Sequence, residues 1–83
     1  MYQDRPIGQS YYEDLNTFSF HPVKTITTGE GGAVTTRSEE LAHFMATMRH
    51  HNMVKTDKSN VWKYEMKMLG YNYRISDIQC ALG

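Results

Sequence analysis

The chain has 83 residues, with nine basic and nine acidic side chains and a hydrophobic share of 40%. That share is ordinary for a folded protein and too high for a disordered one. Because the charges balance, no net field attracts the chain to nucleic acid, and no apolar run approaches the roughly 18 residues that a membrane-spanning helix needs. We therefore expect neither nucleic-acid nor membrane partners. The single cysteine, Cys80, fits a reducing, cytoplasmic compartment.

The first half of the chain predicts a loop followed by two strands. Residues 1–15 are rich in turn-forming residues and predict a loop with a short edge strand near Ile7. Residues 17–20 favour β structure and stop before Pro22, which predicts a buried strand. The glycines of residues 29–32 permit a tight turn, and residues 33–36 predict a second strand. We expect the two strands to pair as a hairpin.

Two helices are predicted from their caps. Ser38 is a good N-cap, and an apolar stripe of helical spacing follows it, made of Leu41, Phe44, Met45 and Met48. This helix should end near Arg49. Residues 51–68 are polar and aperiodic and predict a long loop. Ser76 and Gln79 form a capping-box pattern, so a second helix should begin at about Asp77.

The ends of the chain do not look like the boundaries of a domain. The chain opens in a polar, loop-like stretch and stops at Gly83, a few residues into the second predicted helix. We therefore expect the chain to be an internal fragment of a longer protein, with no complete domain within residues 1–83.

Lys24 is the first candidate catalytic residue. It lies among apolar and hydroxyl residues before a glycine turn. A lysine becomes a nucleophile when burial removes water from its amine. Most lysines near a turn are solvated, however, and the local pattern does not distinguish Lys24 from the other basic residues. A metal site is not expected, because His43, His50 and His51 lack the i, i+4 spacing of a zinc-binding helix.

Two long motifs give the sequence a recognisable likeness. The first is SFHPVK at residues 19–24 with GEGGAV at residues 29–34, and the second is GYNYRISDIQCALG at residues 70–83. Together, in this order and with RHHN at residues 49–52 between them, they resemble the DegT/DnrJ/EryC1/StrS family of nucleotide-sugar aminotransferases. The likeness covers nearly the whole chain. Within the family, it looks most like the transaminases of pseudaminic acid synthesis.

The resemblance implies a fold and a reaction. It implies an α/β fold, namely a segment of the large domain of a fold-type I transferase that depends on pyridoxal 5'-phosphate (PLP), with a mostly parallel central sheet flanked by helices. It implies transfer of an amino group from glutamate to a UDP-linked 4-keto-6-deoxy amino sugar, in a homodimer with shared active sites. The upstream aspartate and aromatic residue of the family's cofactor site are absent, so the isolated chain should not bind PLP tightly.

The resemblance also implies roles for particular residues. Lys24 would hold PLP through an imine and move a proton between cofactor and sugar. Ser19 would bind the cofactor phosphate, and Asn72 would reach the phosphate in the neighbouring subunit. The alternative for Asn72 is a turn asparagine with positive φ. The roles of His21 and Arg74 stay open between site contacts and structural hydrogen bonds.

Two other functions remain open. Some family members use PLP for sugar dehydration, usually with histidine in place of the lysine, so Lys24 argues against that reaction. The other alternative is a non-catalytic phosphate-binding or interaction module built around the glycines of residues 29–32. Those glycines lack the spacing of a Walker loop and are expected to be structural.

Overall fold

The computed structural model of the protein describes residues 1–60 and 62–83. These residues form two compact units, Met1–Ala42 with Ile75–Gly83 and, separately, His43–Arg74. The elements in chain order are β1 (Asn16–Ser19), β2 (Gly32–Thr35), α1 (Glu39–Met48), β3 (Met53–Lys55), β4 (Tyr64–Met66) and α2 (Asp77–Leu82). No helix in the described ranges has the length and apolar character needed to span a membrane.

Strands β1 and β2 form the predicted hairpin. They pair antiparallel, with Asn16 opposite Thr35 and Ser19 opposite Gly32. Each strand begins and ends one residue earlier than the sequence predicts. The prediction of a buried strand is wrong for β1, because three of its four residues are exposed. Thr17 and Ser19 are exposed, and Phe18, whose ring lies close to Gly8, is still 36% exposed.

Residues 1–15 form a loop, as predicted, but the edge strand expected near Ile7 is absent from the described residues. Ile7 is in a turn, and the nearest β pairing is an isolated bridge between Tyr2 and Arg5. The loop is held to β2 mainly by side chains, since the Thr35 hydroxyl donates to the Gly8 carbonyl over 2.8 Å. Such side-chain bonds take the place of a strand ladder.

Helix α1 begins and ends where its cap and apolar stripe predict. The Ser38 hydroxyl accepts a hydrogen bond from the Leu41 amide over 3.2 Å, and Glu39 and Glu40 occupy the first turn. Both acidic residues favour the positive end of the helix dipole. The helix ends at Met48, next to the predicted end.

The long loop predicted for residues 51–68 is wrong in part, because it contains a second hairpin. Strands β3 and β4 pair antiparallel, with Met53 opposite Met66. Val61, which falls in the same stretch, lies outside the described residues. The connection carries an Asx-type turn, in which the Ser59 hydroxyl and the Ser59 amide both donate to the carboxylate of Asp57. These hydrogen bonds lower the pKa of Asp57 from its ordinary value.

Helix α2 has the predicted capping box. The Ser76 hydroxyl accepts from the Gln79 amide, and the Gln79 side chain accepts from the Ser76 amide. This exchange satisfies donors that the first turn of a helix otherwise leaves unpaired.

Candidate functional site

Lys24 lies in a closed loop between β1 and β2, which we call the lysine loop (residues 20–28). Its two ends are joined at Phe20, whose carbonyl accepts from the Thr28 amide over 3.1 Å and from the Thr27 hydroxyl over 2.9 Å. The Phe20 amide donates to the Gly31 carbonyl over 2.9 Å, which extends the pairing of β1 and β2 to the neck of the loop. The neck is therefore fixed by backbone bonds, and the seven residues between its two ends project from it.

His21 organises the turn that carries Lys24. The His21 carbonyl accepts from the Lys24 amide over 2.9 Å, and its ring Nδ1 accepts from the Val23 amide over 3.4 Å. An accepting Nδ1 requires that the neutral ring carry its proton on Nε2. In this chain the ring and the carbonyl of His21 both bond to the loop backbone, which favours a structural role.

The side chains of Lys24 and Ser19 are exposed and available. No hydrogen bond or ion pair of the Lys24 amine occurs within residues 1–60 and 62–83. Ser19 is the last residue of β1, and its hydroxyl accepts a long bond of 3.4 Å from the His21 amide. Its own proton is free to be donated. Ser19 and Lys24 therefore lie on one strand and the loop that follows it.

The glycine turn packs against the neck of the lysine loop. Gly29 has a φ of 80°, which a side chain would strain. A Cβ placed on Gly31 would collide with the hydroxyl of Thr28, which is only 4% exposed. Both glycines fit the structural role that the sequence predicts, because Gly29 supplies the positive φ and Gly31 lets the backbone approach Thr28 closely.

One residue of this region was missed by the sequence reasoning. Gln79 of α2 donates from Nε2 to the Glu30 carbonyl over 2.9 Å, across 49 residues of sequence. The capping-box pattern predicts the place of Gln79 in the first turn of α2, but no local pattern predicts its contact with the glycine turn.

Asn72 lies in the second unit, where it is held at the end of α1. The flanking Tyr71 and Tyr73 amides donate to the Met48 and Arg49 carbonyls over 2.7 and 2.9 Å, and Asn72 forms an isolated bridge with His50. This extended conformation rules out the alternative of a positive-φ turn for Asn72. The rings of Tyr71 and Tyr73 stack 4.8 Å apart, so Asn72 between them projects to the opposite face.

The segment around Asn72 is fixed by close contacts on both sides. A Cβ on Gly70 would lie 2.5 Å from the carbonyl carbon of His51, in the tight turn where His51 and Asn52 have positive φ. Arg74 bonds through Nη1 to Nδ1 of His50 over 3.0 Å. Arg74 therefore has a structural partner in this chain. The exposed amide of Asn72 bonds to no other described residue.

Comparison with known proteins places these residues in context. Residues 1–83 match the DegT/DnrJ/EryC1/StrS aminotransferase family. The UDP-4-amino-4,6-dideoxy-N-acetyl-beta-L-altrosamine transaminase of Campylobacter jejuni is 48% identical over 83 residues, which are 100% of this chain and 21% of that protein. The resemblance predicted from the two motifs is thereby confirmed.

Two solved structures share the fold. Helicobacter pylori PseC, an aminotransferase involved in the biosynthesis of pseudoaminic acid, is 41% identical with a TM-score of 0.87, over 99% of this chain and 21% of that one. Spr1654 of Streptococcus pneumoniae in its PLP form is 31% identical with a TM-score of 0.80, over 99% of this chain and 21% of that one. The predicted α/β fold of type I is confirmed by these neighbours. The chain spans about a fifth of the length of each relative.

Proposed function

Because the chain belongs to the DegT/DnrJ/EryC1/StrS aminotransferase family, we propose that it is an internal segment of the large domain of a PLP-dependent aminotransferase. The proposed reaction transfers an amino group from glutamate to a UDP-linked 4-keto-6-deoxy amino sugar, in pseudaminic acid synthesis or a related pathway of the cytoplasm. The observation that carries the proposal is the identity of 48% over the whole chain to a transaminase named for a UDP-linked 4-amino-4,6-dideoxy sugar.

The exposed groups of the first unit suit PLP in their chemistry. The cofactor presents an aldehyde and a phosphate. The lysine loop offers one primary amine, and the end of β1 next to the loop offers the hydroxyl of Ser19. Lys24 would hold the aldehyde carbon covalently through Nζ, and Ser19 would donate its hydroxyl proton to the phosphate. When bound, PLP supplies the electron sink that transamination requires.

Lys24 has a second task in the proposed reaction. Transamination moves a proton to or from the carbon that bears the nitrogen, and a released lysine amine can carry that proton. The turn at His21 fixes the Lys24 backbone, while its side chain stays free of partners in the described ranges. A fixed backbone with a free side chain suits an amine that must bind, let go and move a proton.

Asn72 would complete the site of the neighbouring subunit in a homodimer. Its amide is exposed and lies on the face opposite the stacked tyrosines. The bonds of Tyr71 and Tyr73 to the end of α1 fix the backbone on either side. Because the backbone is already fixed, only the side chain of Asn72 would have to be ordered when its amide donates to a phosphate.

The role of Lys24 is tested by trapping the cofactor in the full-length protein. Borohydride reduction after loading with PLP should leave the cofactor attached to the peptide that contains Lys24, as read by mass spectrometry. Lys24→Ala should abolish this attachment. Lys58→Ala is the matched control, because it removes another exposed lysine, from the β3–β4 connection, and should trap PLP normally. Trapping in Lys24→Ala at the wild-type level would disprove the assignment.

The substrate is tested by product analysis. The loaded protein, given glutamate and a series of UDP-linked 4-keto sugars, should convert at least one of them to its 4-amino sugar. A folded, loaded protein that converts none of them would disprove the sugar reaction. Formation of a dehydrated sugar instead would favour the dehydratase alternative.

The shared site is tested with mixed dimers. In a dimer of one Lys24→Ala subunit and one Asn72→Ala subunit, a site built across the interface leaves one of two sites intact. About half of the wild-type activity is then expected in the mixed dimer, compared with little in either parent. A mixed dimer no more active than its parents would place Asn72 in the site of its own subunit.

A further inference from the structure

Gln79 uses both ends of its side-chain amide. Its Oε1 accepts from the amide and the hydroxyl of Ser76 over 2.9 and 3.0 Å, while its Nε2 donates to the Glu30 carbonyl over 2.9 Å. The capping box needs only the acceptor, and a glutamate would provide it equally well. A glutamate would also favour the positive end of the helix dipole. The N-terminal cap of helix α2 therefore does not need the amide nitrogen of Gln79.

The Glu30 carbonyl connects that nitrogen to the neck of the lysine loop. It also accepts from the Thr28 hydroxyl over 2.8 Å, so both of its lone pairs are engaged. The Thr28 amide in turn closes the loop on the Phe20 carbonyl. One residue, Glu30, therefore connects Gln79 to Thr28 at the neck of the loop that presents Lys24.

Packing at the same place restrains the contact. Ile75 Cδ1 lies 3.2 Å from a Cβ placed on Gly31, and Thr28 Cγ2 lies 2.9 Å from one placed on Gly83. Residues before and after α2 thus touch the glycine turn and Thr28. Gln79 and Ile75 are both partly buried, unlike the other residues of 74–83. The hydrogen bond to Glu30 is exposed, but its donor belongs to a partly buried side chain that is also held through Oε1.

We propose that Gln79 is a positioning residue, which holds the lysine loop in place for the cofactor through the Glu30 carbonyl. This inference rests on the proposed function, because it gives the loop a cofactor to hold. The contact joins the two sequence motifs, which lie 49 residues apart at these positions. It makes the orientation of Lys24 depend on α2.

The test distinguishes the role of the Gln79 donor, Nε2, from that of its acceptor, Oε1, in the full-length protein. Gln79→Glu keeps the acceptor for Ser76 but removes the donor and sets a carboxylate against the Glu30 carbonyl. Ser76→Ala is the matched control, because it removes both bonds of the Ser76 hydroxyl to Gln79 but keeps the bond from the Ser76 amide to Oε1 and the Nε2 donor to Glu30. If the carboxylate prevents folding, Gln79→Met removes the donor without adding a charge.

Three measurements are compared: hydrogen exchange across residues 20–28, the dissociation constant of PLP, and the pH midpoint of the visible absorbance of the loaded protein. Gln79→Glu should speed exchange and weaken PLP binding about threefold to tenfold, as expected for one lost hydrogen bond. It should also move the absorbance midpoint, which reports the surroundings of the Lys24 linkage. Ser76→Ala should lower the melting temperature. It should change the exchange rates and the dissociation constant of PLP less than twofold and leave the absorbance midpoint where it is in the wild type.

Each outcome bears on one claim. Unchanged exchange in residues 20–28 of Gln79→Glu overturns the inference and leaves the proposed function intact. Equal effects of Gln79→Glu and Ser76→Ala also overturn it, because they would trace to the helix cap. A wild-type protein that binds no PLP overturns the proposed function and the cofactor part of the inference together, whereas exchange would still decide whether Gln79 fixes the loop.

Discussion

His21 shows how one side chain can fix the position of another three residues away. Its Nδ1 accepts from the Val23 amide and its carbonyl accepts from the Lys24 amide. An asparagine can make the same bond to the amide two residues on, because this is the Asx turn. His21→Asn should therefore keep the affinity for PLP within about twofold, while His21→Ala should weaken it about threefold to tenfold. Equal losses in the two variants would instead indicate direct contact between the imidazole and cofactor or substrate.

Whether a residue's role can be predicted depends on how far along the sequence it lies from its bonding partner. Ser76 and Gln79 are three residues apart, so their capping box is legible in the sequence. The bond from Gln79 to Glu30 spans 49 residues, and nothing in either neighbourhood encodes it. The roles of Lys24, Ser19 and Asn72 could not be derived from local physics at all. They stay predictions that rest on the two family motifs.

At the level of elements, the helices were predictable and the second hairpin was not. Helices α1 and α2 have N-caps within three residues of the amides they satisfy. Strands β3 and β4 have three residues each, below the length at which alternation can be recognised, and each residue pairs with a partner at least nine positions away. The β1–β2 hairpin was found because β-favouring runs flank its connection.

Gly70 determines how closely the Asn72 segment approaches the end of α1. A Cβ at this position would meet the backbone of His51 and Asn52, which cannot rotate away as a side chain could. Gly70→Ala should therefore cost about 1–3 kcal/mol of unfolding free energy, the usual cost of overpacking. It should also speed hydrogen exchange at the Tyr71 and Tyr73 amides, which bond to α1. Unchanged protection at both amides would show that the turn absorbs the methyl group.

At the level of the whole molecule, the apolar side chains of the described ranges form no buried core. None of them is buried among the described residues, and the buried side chains there are those of Ser10, Thr28 and Asn52. Leu69 and Ile78 are 82% and 78% exposed. Both described sheets are antiparallel pairs, so the parallel part of the predicted central sheet is not formed by these ranges. Family membership could be predicted from two ordered motifs. The sequence does not indicate what would cover these exposed apolar side chains.

The missing core leads to a prediction for the isolated chain. Burial of apolar surface is the main favourable term in folding, and it must offset the conformational entropy of every ordered residue. A peptide of residues 1–83 should therefore unfold without a cooperative transition, as followed by circular dichroism on heating. Its amides should exchange within seconds to minutes, including those of Phe20 and Thr28 at the neck of the lysine loop. The full-length protein is the control and should melt cooperatively, with protection at the same two amides. A sharp melting transition in the peptide would mean that the hydrogen bonds of the two units suffice for folding, and the assignment of this chain as an internal segment with no complete domain would then be wrong.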